Sequence, residues 1–201
     1  MKLVYKGKFK GIDYLPLGEL PPKAVKFEEP ETMEKLAVKV IKFTVPALVL
    51  AALIIIGSRF LHGSFNFNFI FVPFFIGVCI SIPGLLLHEL LHAVCFGKGV
   101  EVELYIALKD GFLFVVSTHP ITKMRFIFLS LFPNVVLGWL PFIIWAALPY
   151  GEMYSNILFV FSAIHILGGG GDYMNTYNAL RQMPKGSMQQ LSGFNSYWFM
   201  P

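Results

Sequence analysis

Charge is scarce in this sequence. Asp, Glu, Lys and Arg make up 14% of its 201 residues, where soluble domains carry about a quarter. That deficit argues against an ordinary water-facing surface. Cysteine is scarcer still, with Cys79 and Cys95 in a single apolar run. On one helix they stand about 24 Å apart, so they cannot bridge each other and nothing points to an oxidising compartment. Five histidines are too few for a di-iron membrane hydroxylase or desaturase. There is no internal repeat and no low-complexity linker. No cleavable signal peptide is expected, because the first stretch of about 35 residues is polar and basic without an apolar core. Nor is there a basic stripe with interleaved aromatics. The net charge of +4 gathers beside the apolar runs, with Lys2, Lys6, Lys8, Lys10, Lys23 and Lys26 all ahead of the first. That placement suits membrane topology and anionic headgroups rather than nucleic acid.

Apolar residues are what the chain has in excess: 56% of the total, 21 of them Phe, with a mean hydropathy of +0.65. Four apolar runs, about 36–61, 67–96, 124–148 and 155–180, are each long enough to span a bilayer. The expected fold is mainly α, a polytopic membrane protein with about four transmembrane helices. The first helix is expected to start at "EEPETMEK", with Pro30 in its first turn and Glu31 and Glu34 at the positive end of its dipole. Between the second and third runs, "VEVELYIALKDGFLFVVSTHP" alternates around Asp110-Gly111, which predicts a small β-hairpin with strands near 101–108 and 112–118. The organisation is therefore a head over 1–35, irregular or in short strands, and a four-span domain over 36–201 with the hairpin near 101–118 and a short tail. The head, the hairpin segment (Lys98, Lys109, Lys123, Arg125) and the tail (Arg181, Lys185) are basic, and the other two loops are not. The positive-inside rule then predicts an integral protein of the cell membrane with both termini cytoplasmic.

The second run holds "GLLLHELLHAVCFG". In a helix His88 and His92 lie four apart on one face, the spacing at which two imidazoles reach one zinc ion. Glu89, roughly 100° around the helix, stands beside such an ion, where a carboxylate can take a proton from a water and deliver it to a leaving amine. His-Glu-x-x-His is thus a metal-hydrolase signature with a mechanism. The rival reading is a chance match or a polar packing cluster. An ionisable group at the centre of a span costs about 2.5–3.5 kcal/mol of insertion, which favours a functional reading.

A catalytic zinc needs a third protein ligand. Glu152 belongs to the outer loop, His119 to a cytoplasmic loop, and Cys95 sits too far along the helix to join His88. By depth along straight spans, His165 falls some 15–20 Å short of the pair. Asp172, in "GGGGDYMN", is the best candidate. The run Gly168–Gly171 either opens the helix beside a wet cavity or lets the second span pack closely, and either brings Asp172 near the motif. Asn175 and Asn178 follow on adjoining faces as candidate supporting or substrate-orienting groups.

"HELLH" in one span and an aspartate in a later one resemble the site-2 protease type of intramembrane zinc metalloprotease. The four-span plan, "LPPKAVKFEEPETMEKL" in the head and "GGGGDYMN" late are similar to the family known as putative zincin membrane peptidases. The resemblance implies Zn2+ held by His88, His92 and Asp172, with Glu89 as catalytic acid and base. Site-2 proteases carry their aspartate in an Asn-Pro…Asp-Gly or Leu-Asp-Gly context. Here Gly171 precedes it and Tyr173 follows. The expected function is a zinc-dependent intramembrane endopeptidase acting on membrane proteins or peptides near the cytoplasmic side, with the lipid bilayer as its medium and no nucleic-acid partner. The alternative is a non-catalytic membrane protein with a structural or transport zinc, whose closed shell Cys95 or His165 must complete.

Overall fold

The computed structural model describes residues 1–63, 70–107, 111–149 and 152–201. Helix α1 (Met33–His62) starts where Thr32 supplies an N-cap: its hydroxyl accepts the Lys35 N–H at 3.3 Å, and Glu34 lies in the first turn. Pro30 therefore stands ahead of the helix rather than within its first turn, because the cap that satisfies the free amides comes from Thr32. Helix α2 spans Phe71–Cys95; the start expected at 67 lies outside the described residues. The third apolar run is one continuous helical rod in three parts: α3 (Lys123–Pro133), a π-helical turn over Asn134–Trp139, and α4 (Leu140–Ala147). The fourth is broken. Helix α5 (Met153–Gly168) and helix α6 (Gly170–Gln182) meet at a bend of 45°. Three helices are long and apolar enough to cross a membrane, or four if the bent pair is one span.

Two small sheets flank this helical body. In the first, β1 (Lys2–Lys8) pairs in parallel with β3 (Glu101–Ala107), and β3 pairs antiparallel with β4 (Phe112–Val116). The hairpin over 101–118 is thus present. Its Asp110 lies outside the described residues, and β4 ends at Val116 because the Ser117 hydroxyl turns back to the Glu101 carbonyl (2.7 Å) and receives the His119 N–H. The order β1-β3-β4 leaves one edge of β4 without a strand partner among the described residues.

The second sheet has no counterpart in the sequence expectations. It runs β2-β7-β6-β5, from β2 (Val25–Lys26), β5 (Ile121–Thr122), β6 (Met188–Ser192) and β7 (Asn195–Phe199). Ser192 pairs with Asn195 across a two-residue turn whose first position is Gly193 at φ 60°, a backbone state that glycine adopts without strain. The tail is therefore a hairpin rather than a simple extension. The two sheets bind the head, the α2–α3 connection and the tail together on one side of the helices. Between them and the helix ends lies a core of Ala93, Phe96, Phe126, Leu129, Ala179 and Met183.

Candidate metal centre

On α2, the positions Gly84, His88 and His92 recur every four residues and are all buried, while Leu85, Leu86 and Leu87 on the other faces are exposed. This inward stripe faces α5, α6 and the π-helical turn. Gly77 and Gly84 let α5 approach: a Cβ at Gly77 would lie 2.7 Å from the Val160 side chain, and one at Gly84 3.1 Å from Phe161.

Asp172 comes to the two histidines from the first turn of α6. The Nε2 atoms of His88 and His92 are 3.1 Å apart, His88 Nε2 is 3.2 Å from Asp172 Oδ2, and His92 Nε2 is 3.3 Å from Asp172 Oδ1. A zinc ion with tetrahedral bonds of about 2.0–2.1 Å has donor–donor edges of about 3.3–3.4 Å. The two imidazole nitrogens stand close to one such edge, and each faces a different oxygen of Asp172 at a similar distance, so the three residues are gathered closely enough to share one ion. The donor set, two imidazoles and one carboxylate, is also the kind zinc takes in hydrolases.

Supporting contacts fix these donors. His92 Nδ1 lies 2.9 Å from the Leu129 carbonyl; as the donor there, it leaves the Nε2 lone pair aimed at the cluster. Asn134 Nδ2 donates to Asp172 Oδ2 at 2.7 Å. This asparagine, fully buried, opens the π-helical turn, a distortion that often marks functional sites. Sequence reasoning missed it; its only advance signal is a polar residue beside Pro133 in an otherwise apolar run.

The glycine run has two separate explanations. A Cβ on Gly169 would collide with the Asn134 amide, and one on Gly170 with Thr44 and Val40 of α1. Gly168 and Gly171 meet nothing within 4 Å and line a cavity. The close approach expected toward the second span is thus made toward the first and third. The break itself is tied by Tyr173, whose hydroxyl receives the Trp139 indole N–H at 3.1 Å and donates to the Ile166 carbonyl at 3.2 Å. That carbonyl belongs to the last turn of α5, where helical partners run out.

Glu89 stands beside the trio. Its Oε2 accepts the Val115 N–H at 3.0 Å, a group on the unpaired edge of β4. Its other oxygen has no hydrogen bond among the described residues. Two cavities, of about 310 and 640 Å³, meet at Glu89, His92, Gly171 and Asp172. The larger adds His88 and Leu113, and the smaller adds Phe114, Val115 and Asn175.

The remaining predicted positions divide. Asn175 lines the smaller cavity, whereas the Asn178 side-chain Oδ1 accepts from Gln182 Nε2 at 3.2 Å, turned to its own helix. His119 is exposed, and Cys95 is buried outside the group. His165 is not at the shallow level expected of it. Its ring stacks on that of His88, centroids 6.2 Å apart, and both its nitrogens are buried without hydrogen-bond partners among the described residues. Helix α2 is described from Phe71 and α5 from Met153, so the two histidines are 17 and 12 residues along their helices, a difference of only about 8 Å. His165 nonetheless stays outside the three-residue cluster.

Against known proteins, residues 81–188 match a family model described as "Putative zincin peptidase". The match covers 108 of the 201 residues and includes the His-Glu-x-x-His motif, Asn134 and Asp172. No curated protein and no solved structure matches the chain.

Proposed function

The chain belongs to the putative zincin peptidase family, and from that premise we propose that it is a zinc-dependent endopeptidase working within the membrane, in the manner of site-2 proteases. His88, His92 and Asp172 hold the metal. Bound zinc would polarise the scissile carbonyl and make a water acidic enough to lose a proton near neutral pH. Glu89 takes that proton on its carboxylate and returns it to the departing amine. Asn134 holds the Asp172 carboxylate, and the Leu129 carbonyl holds the His92 ring, so neither ligand needs to reorganise. The observation that carries this reading is the gathering of His88, His92 and Asp172, one ligand atom from each within 4.8 Å of the others, with the Glu89 carboxylate beside them at the junction of two cavities.

Membrane insertion is part of the proposal. The exposed faces of α1 carry Val38, Ile41, Leu53, Phe60 and Leu61, a run that water would not tolerate and acyl chains would. Helices 36–182 then form the membrane domain, and the sheets lie at the cytoplasmic face with the head and tail. The substrate is a membrane protein or peptide, extended at the unpaired edge of β4, where strand addition aligns a peptide bond with Glu89. A purely structural zinc would want a fourth protein donor; among the described residues the cluster stops at three.

The test is metal analysis of purified protein, wild type and Glu89→Gln, with cleavage measured on a panel of single-span peptides. Equal zinc content with cleavage lost by about 100-fold or more is expected of Glu89→Gln. Zinc lost together with activity would make Glu89 a ligand and overturn the assignment.

A further inference from the structure

A third carboxylate, away from the metal cluster, faces the smaller cavity. Glu29 belongs to the head, ahead of α1 and outside the stretch matched to the family. It shares the cavity of about 310 Å³ with Glu89, His92 and Asp172. Its Oε1 accepts the backbone N–H of Ser196 on β7, which fixes its place in the wall. Among the described residues no cationic side chain lies within salt-bridge distance of it. Its nearest basic neighbours are engaged elsewhere, Lys26 with Glu31 at 3.8 Å and Lys39 with the Glu28 carbonyl at 3.4 Å. The wall around it is largely apolar, with Phe96, Phe126, Leu191 and Phe194. Burial accordingly pushes the Glu29 carboxyl above the usual carboxylate range, against the pull of Ser196 and the weaker pull of the Lys26 and Lys39 charges.

An ionised carboxylate so placed, with the Ser196 N–H and two lysines beyond salt-bridge distance, is incompletely compensated, and a cation entering the cavity supplies the missing direct partner. If the occupant is a membrane peptide entering from the cytoplasmic side, it brings that cation with it, because the cytoplasmic flanks of spans are enriched in Lys and Arg. We propose that Glu29 is a specificity-determining residue that receives a Lys or Arg side chain of the peptide bound in the cleft. The inference rests on the peptidase reading above and names the class of substrate: a peptide with a basic residue at one fixed position on the cytoplasmic side of its scissile bond.

The test uses full-length, zinc-loaded protein carrying Glu89→Gln, so that binding is read without turnover. The ligands are fluorescent, N-acetylated single-span peptides differing only in Lys, Met or Glu at successive cytoplasmic-flank positions. Binding is measured by anisotropy in detergent micelles. At one position Lys should bind about tenfold more tightly than Met, the scale of one charge-assisted pair. Adding Glu29→Gln, which keeps an oxygen for the Ser196 N–H, should reduce that ratio to under about twofold, and Glu29→Lys should reverse it in favour of Glu at the same position. A Lys preference that survives both variants, or none at any position, overturns the role of Glu29 and leaves the chemistry of Glu89 standing. Failure of every peptide to bind refutes the peptidase reading, and this inference with it.

Discussion

Asn134 donates to Asp172 across 2.7 Å from the first residue of a π-helical turn. Its own backbone still follows α3 (φ −64°, ψ −38°) and its amide also reaches the Ser130 carbonyl one turn back at 3.3 Å, so α3 fixes the direction of the side chain and the π turn begins from it. Partners of this kind orient a ligand and limit its motion. Asn134→Ala should therefore weaken zinc binding by about 10- to 100-fold, measured by competition with a chromogenic chelator. Affinity within about twofold of wild type would show that Asp172 is held by its helix alone.

The glycines at the break should not be equivalent. Gly169→Ala drives a methyl into the Asn134 amide, whereas Gly171→Ala meets open space. The first should destabilise the fold by about 1–3 kcal/mol, the range for overpacking, and lower zinc occupancy with it. The second should bind zinc as wild type does, although its methyl enters the cavity and is expected to slow cleavage. Thermal unfolding in detergent and metal analysis distinguish the two. Equal effects would mean that the run serves only to bend the helix.

Asp172 and His165 are both near His88, and the prediction separates them. Asp172→Ala removes one of three donors and should abolish both zinc retention and cleavage. His165→Ala removes a ring that stacks on His88 without reaching the cluster, so zinc should be retained. Zinc kept without Asp172 and lost without His165 would exchange their roles.

What was legible in the sequence followed from local periodicity. His88 and His92 share a face because the helical repeat places residues four apart together, and the hairpin announced itself by alternation around Asp110-Gly111. Asn134 was illegible because its role depends on the packing of α3 against α6, which brings Asp172 to it from 38 residues away, and no local repeat predicts that pairing. The second sheet was missed for another reason. Two of its strands are two residues long, and its partners come from the head, the middle and the tail. No local pattern declares such pairing, although the turn dipeptide Ser192-Gly193 ahead of the aromatic run Tyr197-Trp198-Phe199 was a usable sign of β6 and β7. His165 was misplaced because the spans were counted from residues 67 and 155 as level starts, whereas from Phe71 and Met153 His88 and His165 lie only about 8 Å apart in depth.

The last prediction is topological, and two independent arguments converge on it. Charge puts the basic head, connection and tail in one compartment. The hydrogen-bonded sheets demand the same grouping: β1 of the head pairs with β3, β5 of the connection with β6, and β2 of the head with β7. Segments joined by strand pairing cannot lie on opposite sides of a bilayer, so an even number of crossings must separate them. That makes α1 with α2 one pair, and the third rod with the bent α5–α6 the other. Single cysteines at Lys10 and at Glu152, both exposed positions, test this in a chain whose Cys79 and Cys95 are replaced by Ala. In sealed inside-out vesicles, an impermeant maleimide should label the cysteine at position 10 and leave that at 152 unlabelled until detergent is added. Right-side-out vesicles should give the reverse. Labelling of both from one side would contradict the four-crossing arrangement; the inverse pattern would keep the crossings and place the sheets, with the cleft they enclose, outside the cell.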